Sequence, residues 1–198
     1  MSDTVIPLPV VPVARAALDT SKTPPTMSNE RVKQAVGKYL GQVWRVLCRS
    51  GLRPADADDA AQDVFFVLSQ RIDDVHPAAE RSFVLSTALR VASQYRRSAW
   101  NRNVTEVLDP EFRDDYQSSP EFVSEQRELL GILDSALESL DNDERAVFIL
   151  MELEQLTRDK TAEVLGIPTG TVASRLRRAK ENFTLVAQRL QIRKRRSL

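Results

Sequence analysis

The residue types that build most metal centres and covalent crosslinks are nearly missing from this sequence. Among 198 residues there is one cysteine, Cys48, and one histidine, His76. No intrachain disulfide can form, and the usual Cys/His zinc sites are excluded. No uninterrupted apolar run approaches the roughly 20 residues of a bilayer crossing, so no membrane insertion is expected. The first residues show no basic stretch followed by an apolar run, so no secretory leader is expected. These absences fit a protein of the reducing cytoplasm that holds no metal and no other cofactor. Formal net charge is also absent, at zero, which taken alone argues against a nucleic-acid binder.

What is present reverses that last inference. Apolar residues make up 42% of the chain, enough for a core, so wholesale disorder is excluded. The charge is segregated. Residues 30–103 carry 12 basic and 8 acidic side chains, residues 104–156 carry 3 and 15, and residues 157–198 carry 11 and 3. Two basic segments flank an acidic middle, and the C-terminal one suits a polyanion.

Residues 1–28 hold Pro7, Pro9, Pro12, Pro24 and Pro25 without helical periodicity, and are expected to form a disordered arm. Amphipathic helices are predicted from about residue 29, with Leu40, Val43, Trp44 and Leu47 on one face of the first. Gly51 and Pro54 break the chain. Further helices are predicted over 56–72 and 80–100, around a loop containing Pro77. Residues 104–123, acidic and interrupted by Pro110 and Pro120, read as a linker. A helix over 121–140 would place Leu129, Leu133, Leu137 and Leu140 on one face. Asp141 with Glu144 resembles a capping box for a helix containing Val147, Phe148, Leu150 and Met151. Two short helices and a basic tail complete an all-α chain with no strand alternation.

The segment 156–183, LTRDKTAEVLGIPTGTVASRLRRAKENF, is the most informative. Thr157 can cap a short helix through its hydroxyl. Ala162 is small enough for a second helix to cross closely. Gly166 stands where the turn needs a positive φ. Pro168 suits the first turn of the next helix. Small residue, glycine and the β-branched Val172 at these spacings make a helix-turn-helix signature. At 100° per residue, Val172, Leu176, Ala179 and Phe183 form a buried stripe. Gly170, Ser174, Arg177, Arg178 and Glu181 lie opposite. Arginine can address guanine through two parallel hydrogen bonds, typically worth ~1–3 kcal/mol of discrimination. Thr169, Thr171 and Arg175 near the helix start can hold phosphates. Arg193, Lys194, Arg195 and Arg196 either touch phosphates or merely solubilise the tail.

Helix 56–72 has an apolar face of Ala61, Val64, Phe65, Leu68 and Ile72. On the other face Asp59, Gln62, Asp63, Phe66 and Gln70 lie together. A phenylalanine among carboxylates and amides suggests a protein-binding patch, although periodicity alone slightly favours its packing on a neighbouring helix.

DADDAAQDVFFVLSQR resembles the D-x-x-D-x-x-Q-[DE]-x-F pattern of region 2 in sigma factors of the extracytoplasmic-function class. FVLSTALRVASQYRR resembles that class's W-L-x-x-I-A-R-N-x-A-x-D-x-x-R-R stretch. GTVASRLRRA matches nearly every position of its region 4 core, G-T-V-x-S-R-L-x-R-A. The resemblance implies two small helical domains. These are a region 2 domain over 29–103 and a region 4 helix-turn-helix domain over 126–190, with a flexible acidic linker over 104–125 and a basic tail over 191–198. It further implies a non-catalytic subunit that binds core RNA polymerase, both the β′ clamp helices and the β subunit, and directs it to promoter DNA. Asp59, Gln62, Asp63 and Phe66 would then contact polymerase. The loop 73–81 with Arg90, Gln94, Arg96 and Arg97 would open the −10 element. Ser174, Arg177 and Arg178, flanked by Thr169, Thr171 and Arg175, would read the −35 element. The acidic linker would run along the polymerase surface, and an anti-sigma factor would be a regulatory partner.

Several positions depart from the pattern. Phe83 stands for the usual tryptophan, Arg90 for asparagine and Gln94 for aspartate, and the loop 73–81 has no aromatic residue. Lys160 replaces a common glutamate, so the Thr157 capping box is incomplete. Three rivals come from other classes. A dimeric helix-turn-helix repressor leaves the region 2 pattern unused. A nuclease would need Asp56, Asp58, Asp59 and Asp63 to converge on a metal, but periodicity scatters the first two. A purely protein-binding bundle leaves the outward arginines unexplained.

Overall fold

The computed structural model describes the backbone of residues 26–101 and 120–195, and side chains over 29–98 and 129–190. Most of the predicted arm and linker lie outside these residues. Described regular structure is helical throughout, with no strand among the described residues. In chain order the helices are α1 (Thr26–Arg49), α2 (Pro54–Arg71), α3 (Glu80–Asn101), α4 (Pro120–Glu138), α5 (Asn142–Phe148), α6 (Arg158–Leu165) and α7 (Thr169–Arg195).

Helices α1, α2 and α3 pack on one another as an N-terminal module. Gly51, at φ +94°, supports the tight turn out of α1, a conformation that a Cβ would strain. Pro54 opens α2 at a position where no N–H is needed, and Arg53 reaches forward to Asp56 at 2.8 Å. Val43, Leu47, Val64, Leu68 and Leu85 are fully buried between the three helices. Each such side chain contributes roughly 1.5–3 kcal/mol relative to exposure. The predicted stripe on α1 is shorter than expected, because Leu40 stands 44% exposed.

In the C-terminal module, α4 and α5 pack against α7, and α6 crosses it. Leu137 and Leu140 are buried as expected, but Leu129 is 62% exposed and lies beyond the packed part of α4. Asp141 caps α5 by accepting the Glu144 N–H at 2.7 Å. The predicted helix beyond it does not run on regularly. It widens into a π-turn (Ile149–Leu153), closed by the Glu154 N–H on the Ile149 carbonyl at 2.9 Å. Gln155 follows at φ +55°, a left-handed conformation unusual for a non-glycine residue. The last helix is not short. It runs continuously to Arg195, into the segment expected to be a tail.

The two modules meet along a polar seam beside a shared apolar cluster. At one end Glu154, buried, accepts Gln42 Nε2 at 2.8 Å and pairs with Arg45 at 3.2 Å. Arg81 donates to the Glu154 carbonyl at 3.3 Å. In the middle Arg49 meets Asp134 at 2.9 Å. At the other end the buried Arg145 donates to the Ser50 carbonyl at 3.3 Å. Its Nε and the Ser50 hydroxyl find no hydrogen-bond partner among the described residues. Helix α6 also rests on α3.

Candidate nucleic-acid interface

The helix-turn-helix forms as its residues dictate. The Thr157 hydroxyl accepts the Lys160 N–H at 3.3 Å and starts α6. Gly166 ends α6 at φ +65°, in the left-handed cap that glycine adopts without steric cost. The Pro168 carbonyl accepts the Thr171 and Val172 N–H groups and so starts α7. Lys160, which leaves the capping box open, pairs instead with Glu163 at 2.8 Å. That contact, with a hydrogen bond from Ser82, holds the Glu163 carboxyl below the usual range.

On α7, Val172 and Ala179 are fully buried, Leu176 is half-buried, and Phe183 stacks on Phe148 at 4.6 Å between ring centres. Ser174, Arg177 and Arg178 stand exposed on the opposite face, with Thr169 exposed at the helix start and Thr171 half-buried beside it. The arginines are charge-paired within the module. Arg175 meets Asp143, Arg178 Nε lies 3.6 Å from Glu144, and Arg177 meets Glu181 at 2.8 Å. Glu144 is itself buried and accepts Asn182 Nδ2 at 3.1 Å. The exposed Arg177–Glu181 pair is worth about 0–1 kcal/mol, so a phosphate or base edge can displace it. Part of the acidic middle of the sequence is therefore paired within the fold, through Asp134, Asp143, Glu144, Glu152 and Glu154, of which Glu144 and Glu154 are buried.

Helix α3 brings only part of its predicted set together. Arg90, Gln94 and Arg97 recur at helical spacing on one side, with the first two half-buried and Arg97 exposed. Arg96 turns from them toward the seam. Its Cδ lies 3.6 Å from where a Cβ on Gly51 would stand. Burial, then the Arg97 charge, pulls the Arg96 pKa below the ordinary arginine value. Arg145 is lowered in the same way, by burial and then by the charge of Arg96.

On α2, Asp59, Gln62 and Phe66 share an exposed face, and Phe66 is 53% open to solvent rather than packed on a neighbour. Asp63 is half-buried at the edge of that face, where it accepts the Tyr95 hydroxyl at 2.9 Å. Burial first, then the hydrogen bond and charge of Asp63, push the Tyr95 pKa up to about 12. Asp58 accepts the Trp44 indole N–H at 2.9 Å and Asp56 holds Arg53. The four aspartates therefore do not converge, and no acidic, His or Cys group able to hold a metal occurs among the described residues. No described helix is long and apolar enough to cross a membrane. Sequence reasoning missed Arg31 and Glu154, which organise a loop and the seam through contacts far apart along the chain.

The two helical modules, the second containing the helix-turn-helix, each match a family model. Residues 35–102 match the family model of Sigma-70 region 2, and residues 130–183 that of Sigma-70, region 4. The chain belongs to the extracytoplasmic-function class of the sigma-70 family. It is 33% identical to the ferric citrate uptake sigma factor FecI of Escherichia coli over 154 residues, covering 75% of this chain and 86% of that protein. It is 27% identical to the ECF RNA polymerase sigma factor SigE of Mycolicibacterium smegmatis, covering 76% of this chain and 59% of that protein. Its fold is similar to that of the sigma factor RpoE, solved with the anti-sigma factor NepR from Bartonella quintana. The TM-score is 0.61 at 18% identity, over 79% of this chain and 96% of that one.

Proposed function

We propose that this protein binds core RNA polymerase in the cytoplasm and directs it to promoters, without catalysis of its own. Residues 29–103 take the −10 element and residues 126–190 the −35 element. The observation that carries the reading is the exposed Ser174, Arg177 and Arg178 face on a helix whose opposite side is buried. Arginines so placed suit guanine edges in the major groove. Thr169, Thr171 and Arg175 flank that face and serve phosphates. The exposed Asp59, Gln62 and Phe66, with Asp63 beside them, supply a polymerase-docking patch of the composition that protein interfaces favour. Arg90, Gln94 and Arg97 are the −10 contacts available on α3, and Arg96 joins them once the seam parts. An anti-sigma partner is supported by the complex in which the RpoE relative was solved. Run-off transcription on genomic fragments, with core polymerase with and without this chain, tests the reading. New, defined start sites are expected. A chain that neither binds core nor redirects it would overturn the proposal.

A further inference from the structure

The loop between α2 and α3 is gripped from outside by a residue that belongs to no motif. Arg31, near the start of α1, spreads its guanidinium over three points of that loop. Nη1 donates to the Ile72 carbonyl at the end of α2 at 2.9 Å, and Nη2 to the Val75 carbonyl in mid-loop at 2.6 Å. Nε and Nη2 both reach Glu80 Oε1, in the first turn of α3, at 2.9 and 2.7 Å. Val75 is buried, so the inner side of the loop is anchored. Asp73, Asp74, His76, Pro77 and Ala78 face solvent. The tip carries its own brace, since His76 Nδ1 accepts the Ala78 N–H at 3.2 Å and starts a 3-10 turn (Pro77–Ala79). A neutral imidazole that accepts at Nδ1 carries its proton on Nε2, so the free nitrogen is a donor.

We propose that Arg31 is a positioning residue for −10 recognition: its fork sets the distances between the α2 end, Val75 and Glu80, and so holds the exposed 76–78 tip in one shape for an unpaired base. This rests on the reading of loop 73–81 given above. The physical reason is preorganisation. Drawing a base out of a duplex is itself unfavourable, so a pocket that also had to order its own backbone would bind weakly. The loop has no Phe, Tyr or Trp to stack on, only the His76 imidazole, which raises the demand on its shape. Arginine is required because its planar fork serves two carbonyls and a carboxylate at once, whereas lysine offers a point charge.

The test uses holoenzyme reconstituted with full-length wild type, Arg31→Lys and Arg31→Ala. The probes are single-stranded oligonucleotides carrying the non-template −10 segment of a promoter mapped by run-off transcription, each with one abasic position. Arg31→Lys keeps the charge opposite Glu80 and guards against simple misfolding. It is expected to leave core affinity and −35 duplex binding unchanged and to lower the thermal unfolding midpoint by no more than about 5 °C, so that the chain stays fully folded at the assay temperature. Affinity for the intact −10 strand should fall by about tenfold, the scale of one lost charge-assisted hydrogen bond. The loss should be confined to one or two positions, where abasic substitution no longer matters. Wild-type discrimination in Arg31→Lys, or a uniform loss that tracks a lower folded fraction, would overturn the proposal. A control with residues 73–78 replaced by glycine and serine separates the two levels. If that chain binds the −10 strand normally, the loop reading itself fails. If it loses discrimination while Arg31→Lys keeps it, only the role of Arg31 fails.

Discussion

The two ends of the seam between the modules solve the same problem in opposite ways. At the Glu154 end, a buried carboxylate is matched by Gln42 and Arg45, while Arg81 takes the backbone carbonyl beside it. At the Arg145 end, a buried guanidinium donates to one carbonyl, leaves its Nε unpartnered, and feels the like charge of Arg96 more than the opposite charge of Glu138. A buried charge that is paired and hydrogen-bonded holds surfaces together, whereas one left half-satisfied works against the burial that surrounds it. The modules are thus fastened at one edge and under tension at the other. The tension falls beside Arg96, a residue proposed above for the −10 element.

Reversing the fastened end should have the largest effect. Glu154→Arg would set a third cation against Arg45 and Arg81. Unfolding free energy should drop by about 2–3 kcal/mol, less than for a fully buried pair because Arg45 is half-exposed. The radius of gyration measured by small-angle scattering should rise as the modules part. An unchanged scattering curve would show that apolar contacts alone hold them.

Cys48 reports on the same event. It sits next to the Arg49–Asp134 contact, and its thiol is pushed up to about 12 mainly by burial, with Asp134 and Asp58 adding to the rise and Arg49 opposing it. Native chain should therefore resist iodoacetamide near neutral pH, and Glu154→Arg should react faster. The same rise makes stability depend on pH. Folding raises the Cys48 and Tyr95 pKa values from 9.0 and 10.0 to about 12. Their contribution is complete below the unfolded values and is lost as pH climbs toward 12. Denaturant midpoints should hold steady up to pH 8 and decline above pH 9. A midpoint that rises over that alkaline range would contradict the burial of both groups.

The strained end should respond with the other sign. Arg145→Met removes a buried charge at similar length, and should leave stability unchanged or raise it by about 1 kcal/mol. A loss as large as that of the Glu154 variant would mean that the two ends are equivalent after all. The smallest effect is expected for Ser50→Ala. Deleting a buried hydroxyl without a partner should raise the unfolding free energy from denaturant titration slightly, by about 0.5 kcal/mol or less.

Local chemistry was legible in the residues before any coordinates. The Thr157 cap, the left-handed Gly166 and the buried stripe through Val172 and Ala179 each follow from neighbours within one or two turns, where period and sterics leave little choice. Periodicity defines a stripe but not where its burial stops, which is why Leu40 and Leu129 were placed inside and stand outside. The π-turn was invisible because one extra residue in a helix leaves no mark in composition. The seam was invisible for a different reason. Gln42 and Glu154 are 112 residues apart, and nothing in either segment names the other. The acidic middle was read as one block between two basic segments, yet several of its carboxylates pair with arginines of both modules. The same blindness hid Arg31, which reads as one more cation on a solvated helix.

Just past the π-turn stands Gln155, whose backbone is held in a region where a side chain is a burden and glycine is at ease. The left-handed turn at Gln155 carries the chain from the buried Glu154 into Leu156, whose N–H donates to the Leu150 carbonyl at 2.9 Å. Glycine at that one position would relax the backbone beside the main fastening of the modules without altering any side chain that bridges them.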